Sequence, residues 1–459
     1  MSDPVILWFR RDLRLSDQHA LVAAAGEGPV VPVYVLDDET AKHRKMGGAS
    51  RWWLHHSLKS LDKSLREKGS RLILRRGKSE DELAKVAKDV GAGRVHCVRH
   101  YEPWWRNAER AIAKSLDLVC HDGNYLTPPG SVTTGSGDPY KIYTPFWRAL
   151  KEVMPPADPL NRPREIAAPS KWPTSDDLDD WDLLPTKPNW ATGFEPVWTP
   201  GEDGARNRID NFLNRASDYE GRRDLPSEEG TSRLSPHLHF GEVSPSFVWH
   251  RTADAGGSVW TFLGELAWRD YAQNVILQFP EYPSKNARER FDDFEWRDFR
   301  SSAVRGEYRA WTKGRTGYPI VDAGMRQLWA TGWMHNRVRM IAASFLIKHL
   351  LIDWREGEQW FWDTLVDADY ASNGCNWQWV AGTGIDSNMF GRIMAPLKQS
   401  EKFDAAAYIR EWVPELGHLP DGAIHDPEAA GCRPHDYPAK LIGHREARER
   451  ALAANDKIR

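Results

Sequence analysis

The chain has 459 residues, too many for a single core, and at about 100–200 residues per domain two domains are expected. An apolar fraction of 41% with 28% charged residues excludes global disorder, and a net charge of −3 argues against indiscriminate polyanion binding while leaving room for a local basic patch. Cys97, Cys120, Cys375 and Cys432 lie far apart with no C-x-x-C pair, which argues against a disulfide scaffold, a zinc ribbon or a clustered iron–sulfur motif.

No basic n-region opens the sequence and no apolar run is long enough to span a bilayer, so the expectation is a cytoplasmic protein that binds no membrane. The first part alternates β-branched runs with amphipathic stretches. VILWF (5–9), VVPVYVL (30–36), RLILR (71–75), RVHCV (94–98) and DLVCHDG (117–123) read as strands. The segments between them have helical spacing and begin with Ser, Asp or Pro. Five strands with helical crossovers predict a parallel, doubly wound α/β sheet. Ligands of such sheets sit at the carboxyl ends of the strands, where Arg10, Arg11, Asp37 and His100 to Trp105 fall. No G-x-G-x-x-G follows the first strand, which disfavours an ordinary dinucleotide site there.

From about Leu150 to Pro200 the chain is rich in Pro and acidic residues, and reads as a long surface connector. Beyond Gly204 the periodicity is almost wholly helical. The expected organisation is an α/β domain over 1–130, a connector over 131–204 and an all-α domain over 205–459.

Twelve of the 23 tryptophans fall between Trp249 and Trp379, interleaved with Arg, Asn and Asp. Indole stacks on flat heterocycles and holds cations over its face. Its low ionisation energy also lets it pass single electrons, so this mixture suggests redox chemistry beside nucleic acid. GTSRLSPHLHFGEVSP (230–245) presents hydroxyl and amide donors before a helix, suited to phosphate, although such turns ordinarily serve as N-caps. In LGELAWRDY (263–271), Glu265, Trp268 and Arg269 share a helical face. Asn336 and Met340 stack at i,i+4 in WMHNRVRMIAASF (333–345), flanked by Arg337 and Arg339. DADYASNGCNWQW (367–379) offers Asp367, Asp369 and Asn373 to a planar cofactor, or simply a capping run before a buried helix. The histidines are scattered, so metal chemistry has little support.

Together these stretches resemble the photolyase/cryptochrome family. The resemblance runs from LWFRRDLRLSDQHAL (7–21) through YKIYTPFWRAL (140–150), TSRLSPHLHFGE, ELAWRDY, GRTGYPIVDAGMRQL and GWMHNRVRM to NWQW and QSEKFD (399–404). It implies an antenna-binding N-terminal domain and an FAD-binding helical domain. It assigns Tyr219, Thr231, Ser232, Leu234 and Ser235 to the FAD phosphates, Arg339, Asp367 and Asp369 to the flavin and ribose, and Asn373 to flavin N5. Trp260 and Arg269 join the cofactor set. Glu265, Trp268, Asn336, Met340 and Trp379 would line a lesion pocket, with Arg223, Arg269, Arg337 and Arg392 on DNA phosphates.

By the same resemblance Trp377 and Trp354 form the inner and middle members of a tryptophan wire, with Trp296, Trp311 and Trp329 as candidates for the outer one. Trp104 and Trp105, with Glu102 and Arg10, are expected at an antenna site for 5,10-methenyltetrahydrofolate, with a flavin, a deazaflavin or an empty site as alternatives. GWMHNRVRM is similar to the photolyases that repair cyclobutane pyrimidine dimers, while TSRLSPHLHFGE and 281–296 are similar to plant cryptochromes and the bacterial class III group. The implied activity is light-driven: the dimer flips out of DNA, accepts an electron from reduced FAD, splits and returns it. The expected enzyme is a monomer, nucleoid-associated when bound to damaged DNA. The alternatives are a blue-light receptor, (6-4) photoproduct repair and a flavin-free helical DNA-binding protein.

Overall fold

The computed structural model describes residues 3–40, 43–255, 259–387 and 390–458. It divides into two compact units, each discontinuous in sequence. The first comprises Met1–Asn189, Trp198–Ser217 and Ser232–Pro280, and the second Trp190–Val197, Asp218–Thr231 and Glu281–Arg459. Three consecutive segments were expected. The chain instead passes between the units several times, which periodicity cannot reveal.

The first unit is built on five strands, β1 (Val5–Phe9), β2 (Val30–Leu36), β3 (Ile73–Arg76), β4 (Arg94–Val98) and β5 (Asp117–His121). They pair in the order β3-β2-β1-β4-β5, all parallel. Every residue of β1 and β2 is buried, as continuous Val/Ile/Leu runs in a sheet covered on both faces require. Pro32 is tolerated inside β2 because pairing with β3 begins only at Val33↔Ile73. The crossover helices His19–Glu27, Gly48–Arg66, Ser79–Val90 and Pro103–Ile112 match the expected ones to within a few residues. This unit also holds the helices Tyr143–Lys151, Pro245–Ala253 and Trp260–Gln278.

The second unit is helical among its described residues, including Ser302–Thr312, Pro319–Thr331, Asn336–Ser344, Trp354–Thr364, Tyr370–Ala381 and His444–Asp456. A five-residue π-helix, Phe345–His349, directly continues Asn336–Ser344. Asp353 and Asp369 start the next two long helices by accepting hydrogen bonds from the backbone N–H of Arg355 (3.0 Å) and Ser372 (2.7 Å). Phe291, Phe294, Leu351, Phe390 and Ala451 form one of its core clusters. No helix among the described residues is long and apolar enough to cross a membrane.

Candidate functional site

The expected site residues fall in both units, and each set is described within its own. In the first unit the helix Trp260–Gln278 carries Glu265, Trp268 and Arg269. Trp268 is 37% exposed, and one face of its indole is covered by Tyr143, with ring centroids 3.5 Å apart and planes 8° from parallel. Glu265, one turn earlier, is half-buried. Arg269 sends Nη1 to the carbonyl of Asn124 and Nη2 to that of Leu238 (3.2 Å), and lies over the Tyr125 ring at 4.4 Å. These contacts make Arg269 a clamp on its own fold. Its neighbour Asp270 is fully buried, accepts from the backbone N–H of Leu126 (2.8 Å) and Thr127 (3.2 Å), and has its pKa pushed up to about 7 by burial. Trp260 sits at the surface in an indole cluster with Trp147 (6.4 Å) and Trp249 (6.2 Å). In the turn before the helix Ser235–His239, Ser232 Oγ accepts from the Leu234 N–H at 3.4 Å, and Arg233 takes a left-handed φ of 50°.

The residues expected at the antenna site are largely buried. Trp104 and Trp105 are 1% and 6% exposed, so neither offers an open face for a pterin ring to stack on. His43 lies against both indoles, at 5.3 and 5.4 Å. Arg10 is buried, paired with Glu109 (2.8 Å) and set over Trp8 at 4.2 Å, while buried Glu102 pairs with Arg11 (3.1 Å). The ion pairs tie these residues together, while the indole N–H of Trp105 and the Nε–H of Arg10 are buried without a hydrogen-bond partner among the described residues.

In the second unit, Arg339 and Asp367 form a two-pronged ion pair (3.1 and 2.9 Å), and the Arg339 Nε–H also donates to the Met334 carbonyl (2.7 Å). Asp369 caps the helix Tyr370–Ala381, the ordinary use of such a residue, and thereby sets Asn373 and Trp377 on one face at i,i+4. The buried Asn373 amide nitrogen donates both to the Glu358 backbone carbonyl (3.1 Å) and to its Oε1 (2.8 Å). Two acceptors on that nitrogen fix the amide orientation and leave Oδ1 as an acceptor for another group. Nothing in the local sequence signals Glu358, because it stands on a different helix.

Asn336 is exposed at the first turn of Asn336–Ser344, and Met340 is half-buried one turn on. Arg337 is held by Asp224 (2.5 Å), lies over Phe403 at 4.6 Å and touches Met340 Sδ at 3.9 Å. It is thus ion-paired within its own unit. Arg223 lies over Tyr219 at 5.3 Å, Thr231 and Trp379 are half-buried, and Arg392 is exposed.

Trp377 and Trp354 are buried, the latter donating Nε1–H to Asn286 Oδ1 at 3.0 Å. Trp311 is also fully buried, 6.4 Å from Trp377 and bonded to the Ala342 carbonyl. It fails as the outer end of a wire, which must meet reductant at the surface. Trp296 is half-buried against Phe294 (4.4 Å). Trp329 is 47% exposed between Trp360 (6.0 Å) and Trp190 (5.8 Å).

Residues 5–164 match a family model described as DNA photolyase, and residues 262–457 one described as FAD binding domain of DNA photolyase. A deoxyribodipyrimidine photo-lyase of Agrobacterium fabrum is 48% identical, over 98% of this chain and 97% of that protein. Cryptochrome-1 of Arabidopsis thaliana is 36% identical, over 97% of this chain but 69% of its own length. The crystal structure of a bacterial class III photolyase from Agrobacterium tumefaciens superposes with a TM-score of 0.94 at 47% identity, covering 100% of this chain and 98% of that one.

Proposed function

This chain belongs to the photolyase/cryptochrome family, and on that footing we propose that it is a deoxyribodipyrimidine photo-lyase, which splits cyclobutane pyrimidine dimers in DNA under blue light. Its cofactor is FAD. The observation that carries the reading is the pinned amide of Asn373. With its nitrogen fixed on Glu358, the amide offers only Oδ1, the acceptor that a reduced flavin bearing a hydrogen on N5 calls for. The Arg339–Asp367 pair gives the same helical unit a fixed plane of charge for a polar ring edge. When bound, FAD supplies a light-excited source of single electrons.

The chain's own residues then bind and orient. Trp268 offers an indole face to a flipped base, a stacking contact worth about 1–3 kcal/mol. Glu265 faces a pyrimidine carbonyl, while Asn336 and Met340 meet the lesion and Arg223 and Arg392 meet phosphates. Tyr219, Thr231, Ser232, Leu234 and Ser235 hold the cofactor phosphates. Trp377 and Trp354 are the inner and middle members of the wire in our reading, with Trp296 or Trp329, both open to solvent where Trp311 is not, as the outer one. The protein acts as a monomer in the cytoplasm, on the nucleoid when bound to damage; its four free thiols suit a reducing compartment.

Illuminating the purified holoprotein with an ultraviolet-damaged oligonucleotide tests the proposal. Dimer loss that needs both light and reduced flavin is expected. Intact dimers beside a normal flavin spectrum would instead make the protein a photoreceptor.

A further inference from the structure

We propose that Tyr143 is a positioning residue for lesion recognition: it backs the Trp268 indole so that the opposite ring face is held flat toward a flipped pyrimidine. The inference rests on the reading of Trp268 as a wall of the lesion pocket. Its geometry lies wholly within the first unit.

Trp268 stands on the Trp260–Gln278 helix and remains 37% exposed. An indole so placed normally samples several rotamers, and ordering it on binding costs affinity. Here it is not free to do so. The Tyr143 ring is stacked on it at 3.5 Å and 8°, and the Tyr271 ring meets it edge-on at 5.6 Å and 84°. Both phenols are anchored in turn. Tyr143 Oη donates to the Gly264 carbonyl and Tyr271 Oη to that of Lys141, each at 2.8 Å. Gly264 is a weak helix former in the middle of a helix, and a Cβ there would lie 3.4 Å from Tyr143 Oη. That is an ordinary contact distance, so it is the hydrogen bond to the Gly264 carbonyl that holds the tyrosine which locks the tryptophan one turn later.

With Tyr143 stacked on it, Trp268 still keeps 37% of its surface exposed, which leaves indole surface for a base. The arrangement is a pre-ordered stacking platform, and its benefit appears only when a base occupies the open face.

The test compares Tyr143→Leu and Tyr143→Phe holoenzymes, alone and combined with Trp268→Ala, for binding to dimer-containing and undamaged oligonucleotides. Tyr143→Leu should weaken affinity for the dimer about threefold to tenfold. Affinity for undamaged DNA and repair per absorbed photon at saturating substrate should not change. Tyr143→Phe keeps the stack and should stay within about twofold of the parent. In the Trp268→Ala background Tyr143→Leu should add nothing further.

Wild-type dimer affinity in Tyr143→Leu, an equal loss on undamaged DNA, or an additive loss without Trp268 would each overturn the inference. If Trp268→Ala alone leaves dimer affinity intact, the reading of Trp268 fails and the inference with it. If Trp268→Ala weakens binding and Tyr143→Leu does not, only the role of Tyr143 fails. Should Tyr143→Leu not retain flavin, Tyr143→Met carries the same comparison.

Discussion

The Trp377 indole rests directly on the backbone of Gly357, so close that a Cβ added there would lie 2.6 Å from its Cζ3 atom. Gly357 sits one turn after Trp354 on the helix Trp354–Thr364. The contact therefore brings the inner indole onto the element that carries the middle one. Gly357→Ala should push Trp377 off this helix and slow photoreduction of oxidised flavin. Repair by enzyme already reduced should be spared, because the wire serves only reduction. The overpacking should also cost about 1–3 kcal/mol, offset in part by the better helix propensity of alanine. Time-resolved absorption of the flavin after a flash checks the first point. A wild-type rate would mean that the close contact does not position the indole.

Glu265 and Trp268 should separate binding from chemistry. Glu265→Ala is expected to lower repair per photon more than DNA affinity, because a hydrogen bond to a radical anion matters after the electron arrives. Trp268→Ala should mainly weaken lesion binding, by up to about 1–3 kcal/mol if one base stacks on it. Paired titrations and quantum-yield measurements on one damaged duplex decide between these. Equal affinity losses in both variants would contradict the two assignments.

Glu358 is expected to matter through Asn373 and without touching substrate. Glu358→Ala removes one of the two acceptors that fix the Asn373 amide, a charge-assisted bond typically worth about 1.5–3 kcal/mol. The amide can then turn its nitrogen outward, a poor match for a hydrogen on flavin N5. Bound reduced flavin should reoxidise faster in air, with dimer affinity unchanged. Glu358→Gln, whose side-chain oxygen still accepts, should largely restore the slow rate. Identical reoxidation in all three proteins would remove Glu358 from the cofactor environment.

The sheet was legible because parallel strands buried on both faces read as continuous apolar runs, and VILWF and VVPVYVL coincide with β1 and β2. Asn373 and Trp377 were assigned their roles through the resemblance, and the helix Tyr370–Ala381 sets them on one face. Contacts between elements far apart in sequence were not legible. Glu358 reaches Asn373 from another helix, and Tyr143 reaches Trp268 across 125 positions, as their stacking contact shows. The burial of Trp104 and Trp105 was hidden for a related reason. An aromatic pair at a strand's carboxyl end looks the same in sequence whether it faces a ligand or is buried under His43. The carbonyl partners of Arg269 were likewise out of reach of local spacing.

Acid should loosen the C-terminal helix His444–Asp456 before the rest of the second unit. His349, the last residue of the π-helix, faces His444 with Nε2 and Nδ1 2.9 Å apart, so at most one proton can occupy that contact. Burial, then His444, Arg450 and Lys348, depress the His349 pKa to about 3, and burial with Arg448 and Lys398 lowers that of His444. These neighbours are all cations or potential cations. Of the carboxylates, Glu307 and Glu446 act on Arg450, whose guanidinium donates to the His349 carbonyl. The sign follows from proton counting. Between pH 6.5 and about 3 the unfolded chain binds a proton at His349 that the folded one refuses, so stability is full above 6.5 and is lost as pH falls. The whole shift at His349 corresponds to roughly 4–5 kcal/mol, spread over that window. His349→Phe should flatten the dependence of melting temperature on pH between 6.5 and 4, and hydrogen exchange should show residues 444–456 opening first in the parent. Equal acid sensitivity of parent and variant would assign the effect to carboxylates elsewhere.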